Sequence, residues 1–197
     1  MSSMNEESIL DHFKTSGALL EGHFILSSGL HSPQYLQCAL ALQNPADAVK
    51  YGGRIAAKFK DDNIDIVASP AIGGLVIGFA AAQALGVRFI WTERQNGEMT
   101  LRRGFTVSEG ERILVVEDVI TTGGSTRECI AALEIHGAKV VAAASIIDRS
   151  NGEADVGVPC ISLATLGVPT FSTGHCPMCK DGIEAVKPGS RTSKPAV

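Results

Sequence analysis

Short apolar runs alternate with helical patterns through most of the chain. Each run has the length of a strand, and the run at 113–116 is continuously apolar, as is typical of a parallel strand that is buried on both faces. The runs are residues 64–68, 87–91, 113–116, 140–147 and 161–166. Helical patterns separate them, most clearly at 75–85 and after residue 125. This order predicts an α/β fold with a mostly parallel, doubly wound sheet and helices on both faces.

The first forty residues follow another pattern. A short helix is expected over 6–16, a strand over 19–26 and a polar loop over 27–33, with extended chain resuming at Tyr35. We expect these elements to form a small hood over the sheet. Asn44 and Pro45 then fit the start of a helix that reaches about residue 60.

Length and composition agree with one domain, residues 1–197. Its core would span about 44–170, and its hood would combine about 1–40 with the C-terminal segment. The 197 residues are 45% hydrophobic, which is enough for a sizeable core. A net charge of −4 argues against a nucleic-acid partner, and no apolar run approaches the roughly 20 residues that span a membrane. A polar, acidic start and five scattered cysteines favour a cytoplasmic protein without a disulfide framework.

The densest chemistry follows the strand at 113–116. Two acids, Glu117 and Asp118, come where that strand is expected to end, and Thr121-Thr122-Gly123-Gly124-Ser125 leads into a helix. Backbone N–H groups of such a loop and of the helix N-terminus can hold a phosphate, while the carboxylates can hold hydroxyls or a cation. Neither a Walker loop nor a dinucleotide fingerprint is present. The stretch therefore predicts a site for a phosphorylated sugar, and residues 125–128 predict a capping box for the helix.

The same stretch resembles the phosphoribosyl-diphosphate (PRPP) signature of the type I phosphoribosyltransferases. The resemblance implies attack of a nucleobase nitrogen on C1 of PRPP, loss of diphosphate and an oxocarbenium-like transition state. It also implies Mg²⁺ as cofactor, held mainly by PRPP rather than by protein ligands. Glu117 and Asp118 would stabilise the ribose, and the loop Ala71-Ile72-Gly73-Gly74 would receive the diphosphate. The PRPP-binding residues implied in this way are Glu117, Asp118, Val119, Ile120, Thr121, Thr122, Gly123, Gly124, Ser125, Ile72, Gly73, Arg94, Arg102 and Arg103.

Further segments are similar to orotate phosphoribosyltransferases. Residues 24–35 follow that family's F-x-L-x-S-G-x-x-S-P-x-Y/F pattern, with Ser27 where many members have lysine, and Asp148-Arg149 matches an Asp-Arg pair at a strand end. The resemblance implies that Tyr35, Thr121 and Arg149 bind orotate.

Residues 93–104 stand where the family has a mobile catalytic loop. They resemble a shorter-loop subfamily known from Thermus-like bacteria and archaea. Arg94 is implied as the catalytic cation facing the diphosphate, with Arg102 and Arg103 as further candidates. Because this loop reaches the neighbouring subunit's site in the family, the resemblance implies a homodimer. A purine or xanthine phosphoribosyltransferase, or a non-catalytic PRPP-sensing regulator on the same fold, are the alternatives.

A C-x-x-C pair, Cys176 and Cys179, lies near the C-terminus. It could be half of a zinc site, but the sequence shows no second pair, and Cys38 or Cys160 would complete it only if the fold brought them close. We interpret the pair as a reduced turn, and His23 as an ordinary surface or packing residue.

Overall fold

A six-stranded sheet forms the centre of the molecule in the computed structural model, which describes residues 6–26 and 28–188. The strands follow the order β5-β4-β3-β6-β7-β8, and every neighbouring pair is parallel except the β4–β5 hairpin at one edge. The strands are β3 (Ile66–Pro70), β4 (Arg88–Gln95), β5 (Glu98–Leu101), β6 (Arg112–Ile120), β7 (Lys139–Asp148) and β8 (Cys160–Thr165). The predicted fold class is confirmed.

Helices cover both faces of this sheet. The helices are α1 (Glu6–Thr15), α2 (Cys38–Leu42), α3 (Pro45–Lys58), α4 (Gly74–Leu85), α5 (Gly124–Glu134) and α6 (Pro177–Lys180). Successive residues of β6 point to opposite faces: Leu114 and Val116 join the core beneath α3 and α4, whereas Ile113 and Val115 join the core beneath α5. This burial on both faces explains why the central strands read as continuous apolar runs.

Two helix starts show where the sequence rules worked and where they failed. Asn44 caps α3 as predicted, because its side-chain oxygen accepts a hydrogen bond of 3.1 Å from the Ala46 N–H. The capping box expected at residues 125–128 is wrong. Helix α5 begins earlier, after Gly123 in the left-handed conformation (φ 73°), and it has no side-chain cap.

The hood is an antiparallel hairpin of β1 (Leu19–Ile25) and β2 (His31–Leu36). Strand β2 begins inside the segment predicted to be a loop; Ser27 lies outside the described residues. The C-terminal segment also joins the hairpin, since the Ile25 N–H donates to the Val186 carbonyl at 2.8 Å. Residues 189–197 lie outside the described part. Within the described ranges, no helix is both long enough and apolar enough to cross a membrane.

Candidate functional site

The predicted acids lie on the central strand itself, not beyond its end. Strand β6 continues to Ile120, so Glu117 pairs in register with Ser145 of β7. Val119 lines a large cleft beside this end of the strand. The Ile120 carbonyl accepts a 2.8 Å hydrogen bond from the Arg149 N–H. The carboxyl ends of β3, β6 and β7 therefore meet at one edge of the sheet, where ligands of doubly wound folds bind.

Both carboxylates are partly buried. Burial raises the pKa of Glu117 well above its usual value, and the negative charge of Asp118 raises it further. Burial also raises the pKa of Asp118, although a 2.8 Å hydrogen bond from the Val119 N–H offsets part of this effect. Within the described part of the chain, Glu117 Oε2 is buried without a hydrogen-bond partner. The pair is thus arranged to receive a hydroxyl donor or a positive charge.

The loop after β3 lies directly against these acids. An added Cβ on Gly73 would lie 2.9 Å from Asp118 Oδ1, and one on Gly74 would lie 2.6 Å from Glu117 Oε2. Ile72 is exposed, with 83% of its surface accessible, and the peptide between Ala71 and Ile72 is cis. The structure therefore brings together two predicted site segments that are more than forty residues apart in the sequence.

The loop 121–125 continues directly from the acids. Gly123 needs to be glycine for two reasons: its φ is 73°, and a Cβ would lie 2.7 Å from Val156 Cγ1. Thr121, Thr122 and Ser125 are exposed, and Gly124 is half-buried at the first turn of α5. The first N–H groups of α5 have no intrahelical acceptor, so this turn can bind an anion.

Arg127 is a site residue that the sequence analysis missed. It lines the cleft, and its Nη1 donates to the Thr122 carbonyl at 2.9 Å and to the Asp155 carbonyl, which joins the loop 121–125 to the loop after β7. The sequence feature that could have identified Arg127 is its position as a cation close to the N-terminus of a predicted helix, where the helix dipole favours the binding of anions.

A large cleft opens beside this edge, with a volume of about 1190 Å³. Tyr35 of the hood and Arg149 after β7 both line it, as do Thr121 and Thr122. Burial raises the pKa of Tyr35 and lowers the pKa of Arg149, and in the described structure Arg149 Nε is buried without a hydrogen-bond partner. A guanidinium whose Nε has no partner in a cleft is suited to a planar anion such as a carboxylate.

Asp148, next to Arg149, has a structural role in the loop after β7. Its carboxylate accepts hydrogen bonds from the Ser150 N–H at 2.7 Å, the Ser150 hydroxyl at 2.6 Å and the Gly152 N–H at 2.7 Å. These bonds shape the loop that forms one wall of the cleft.

The three predicted loop arginines are not in this cleft. Arg94 lies on β4, where it pairs with Glu128 of α5 and donates to the Gly97 carbonyl at 2.7 Å, and Arg102 and Arg103 directly follow β5. Arg103 donates to both carboxylate oxygens of Glu93, at 2.7 and 3.0 Å, and Arg102 lies 3.4 Å from the same carboxylate. The hydrogen bond from Arg103 lowers the pKa of Glu93. A single chain therefore brings together the acids, both loops and the cleft lined by Tyr35 and Arg149, but not the three arginines of residues 93–104.

Residues 41–174 match the phosphoribosyl transferase domain family. The chain is 50% identical to the orotate phosphoribosyltransferase of Caldicellulosiruptor bescii over 188 residues, which are 95% of this chain and 99% of that protein. It is also 50% identical to that of Pelotomaculum thermopropionicum over the same shares. The crystal structure of orotate phosphoribosyltransferase from Aeropyrum pernix superposes with a TM-score of 0.68 at 27% identity, covering 80% of this chain and 93% of that one.

Proposed function

The chain belongs to the phosphoribosyltransferase family and, within it, to the orotate phosphoribosyltransferases. From this premise we propose which role each site residue has in the reaction. The reaction transfers the ribose 5-phosphate group of PRPP to orotate and gives orotidine 5′-monophosphate and diphosphate, a step of de novo pyrimidine (UMP) biosynthesis. Because the relatives match over nearly the full length of both chains, they favour this activity over a purine or xanthine enzyme and over a non-catalytic regulator.

One observation carries the assignment of roles: the acid pair lies between two anion-binding loops at the edge of the sheet. The 5′-phosphate of PRPP binds at 121–125, against the N-terminus of α5. The diphosphate binds at the loop 71–74, whose glycines lie against Glu117 and Asp118. The ribose, which joins the two phosphate groups, then lies over the carboxylates. The division into a PRPP-binding core and a hood belongs to the same proposal.

The carboxylates act on the charge that develops on this ribose. As the C1–O bond to diphosphate breaks, its electron pair leaves with the diphosphate and the sugar ring becomes positive. A ring nitrogen of orotate then bonds to C1, and its proton passes to the leaving diphosphate. Glu117 and Asp118 are held near that ring in a partly buried place, where a charge interaction is stronger than in water. Burial raises the pKa of both carboxyl groups, so a positive charge beside them would favour their ionised forms.

Mg²⁺ belongs to the proposal as a partner of PRPP. Its chemistry is to neutralise negative charge on the diphosphate when both are bound. The residues present fit this ion, because carboxylate oxygens are the donors it prefers and Glu117 Oε2 lacks a partner among the described residues. We assign the ion mainly to oxygens of PRPP, with no direct protein ligand required.

Orotate binds at the other end of the cleft. The Arg149 guanidinium pairs with its carboxylate, Tyr35 covers the base from the hood, and Thr121 contacts it from the loop that holds the phosphate. What supports this placement is the unpartnered Arg149 Nε beside Tyr35 and Thr121 in one cleft. An anionic pyrimidine is favoured over neutral purines, because a buried cation without a counter-ion is costly.

The arginine hairpin acts in a homodimer in this proposal. Arg94, Arg102 and Arg103 reach the diphosphate of the neighbouring subunit, and Arg94 is the catalytic cation. Exposed apolar side chains on and beside α4, namely Ile72, Val76 and Phe79 with 83%, 47% and 61% of their surface accessible, support association of two copies. A cytoplasmic location completes the proposal, since a pyrimidine-synthesis enzyme works where PRPP is made.

Purified protein assayed with PRPP and Mg²⁺ against orotate, uracil, adenine, hypoxanthine and xanthine tests this function. The expected result is loss of orotate absorbance with formation of orotidine 5′-monophosphate and no turnover of the other bases. Turnover of a purine without loss of orotate would contradict the proposal.

A further inference from the structure

Four metal-binding side chains meet where the hood contacts the C-terminal segment. His23 comes from β1, His31 from β2, and Cys176 and Cys179 from the C-x-x-C pair. One ligand atom from each residue lies within 4.8 Å of all the others, and all except Cys179 are buried. The sequence suggested Cys38 or Cys160 as completing residues; in the described structure, two histidines occupy that place instead.

The spacing of these atoms matches a tetrahedral zinc site. Bond lengths of about 2.3 Å for Zn–S and about 2.0 Å for Zn–N place sulfur and nitrogen ligands about 3.5 Å apart in a tetrahedron. The Cys176 Sγ–His23 Nε2 distance is 3.5 Å, Cys179 Sγ–His23 Nε2 is 3.7 Å and Cys179 Sγ–His31 Nδ1 is 3.3 Å. The two nitrogens, 2.6 Å apart, would need to separate to about 3.3 Å around an ion.

The outer nitrogens of both histidines are engaged in the way that metal-ligating histidines require. His23 Nδ1 lies 2.7 Å from the Ile183 carbonyl, and a carbonyl only accepts, so Nδ1 carries the proton. In neutral His23 the lone pair of Nε2 then points into the cluster. His31 Nε2 lies 3.3 Å from the Thr173 hydroxyl, which leaves Nδ1 facing the same point. Two imidazole nitrogens and two sulfur atoms directed at one point suit a shared cation.

We propose that His23, His31, Cys176 and Cys179 bind one zinc ion that fastens the C-terminal segment to the hood hairpin. Four protein ligands close the coordination sphere, so the ion has no open position for catalysis. None of the four residues lines the main cleft, and the ion is therefore separate from the magnesium that accompanies PRPP. The link complements backbone hydrogen bonds between the same segments, among them those from the Val186 N–H to the His23 carbonyl and from the His31 N–H to the Phe171 carbonyl, each 2.8 Å.

The wild-type, untagged full-length chain gives the primary test. It is produced in zinc-supplemented medium, purified without chelator under reducing conditions and analysed for metals by mass spectrometry. We expect about one zinc per chain. Replacement by Co²⁺ should give the intense visible d–d bands of tetrahedral cobalt and a thiolate-to-cobalt charge-transfer band. Zinc near zero together with absence of these bands would overturn the proposal.

Matched variants locate the ion within the chain. Cys179→Ser and His23→Ala should lose most of the bound zinc and the cobalt spectrum of the native site. Cys160→Ser and His175→Ala replace exposed residues of the same types outside the cluster and should keep both. Loss of zinc from a control, or full zinc in both cluster variants, would contradict the assignment. The zinc content and cobalt spectrum of the wild-type chain still test the proposal even if a cluster variant fails to fold.

Discussion

Gly74 of the loop after β3 lies against Glu117 of β6 so closely that a methyl group on it would lie 2.6 Å from the carboxylate oxygen. The same methyl would lie 2.8 Å from the Val116 carbonyl oxygen, which is backbone and cannot turn away. The position of residues 71–74 is therefore set by contact with the strand that carries the acids.

Gly74→Ala should displace this loop and lower the turnover of orotate on the order of 100-fold, since small misplacements of positioning groups have effects of that size. The matched control is Gly53→Ala in α3, where an added Cβ meets nothing within 4 Å. The control should keep its activity and gain about 0.5–1 kcal/mol of stability. Equal activities of the two variants would show that the contact does not position the loop.

The raised pKa of Glu117 predicts how stability changes with pH in the ligand-free protein. Between the ordinary glutamate pKa, about 4.3, and the raised value, the folded state binds more protons than the unfolded state, so stability falls as pH rises through this interval. Glu117→Gln removes this contribution. Urea unfolding of both proteins from pH 4 to pH 9 should show a gap in favour of the variant that grows with pH. Parallel curves would mean that burial of the acid has no energetic effect.

Arg149→Ala should raise the KM for orotate about 10- to 100-fold and change the KM for PRPP little, because the lost interaction is a hydrogen-bonded ion pair with the base alone. Arg112→Ala is a suitable control. Arg112 lies at the opposite end of β6, where its Nε donates to the carbonyls of Asp62 and Asn63, and its loss should leave both constants unchanged. An unchanged KM for orotate in Arg149→Ala would remove this residue from the base site.

Mixing two inactive variants tests whether the arginine hairpin acts across a dimer. Arg94→Ala and Asp118→Asn should each reduce kcat about 100-fold or more while remaining folded. After subunit exchange, half of the dimers are mixed, and each contains one site with a native acid pair and a native partner loop. Activity should return to about one quarter of wild type. If Arg94 serves its own chain's site, mixing restores nothing.

The sheet, its helices and the acid-loop segment could be predicted from the sequence because they rest on local signals. Continuous apolar runs mark strands buried on both faces, and Asn44-Pro45 marks a helix start. The start of α5 could not be predicted in the same way. Its capping box was a local match, but the left-handed Gly123 begins the helix earlier, and the crowding of Gly123 by Val156 depends on a loop that follows another strand.

Other site features depend on residues that are distant in sequence. Burial of Glu117 and Asp118 follows from contact with the loop 71–74, and the sequence offered no sign of it. The metal-binding cluster joins β1 and β2 to a segment about 150 residues later, so a C-x-x-C pair looked incomplete. Residues that are brought together only by tertiary packing leave no periodic pattern.

A crystal structure of the protein with orotidine 5′-monophosphate tests the central claim most directly, because one ligand carries both the phosphate and the base. The account predicts the phosphate at residues 121–125, the ribose hydroxyls at Glu117 and Asp118, and the orotate carboxylate at the Arg149 guanidinium. A nucleotide bound with its phosphate away from this loop, or with its base remote from Arg149, would contradict it.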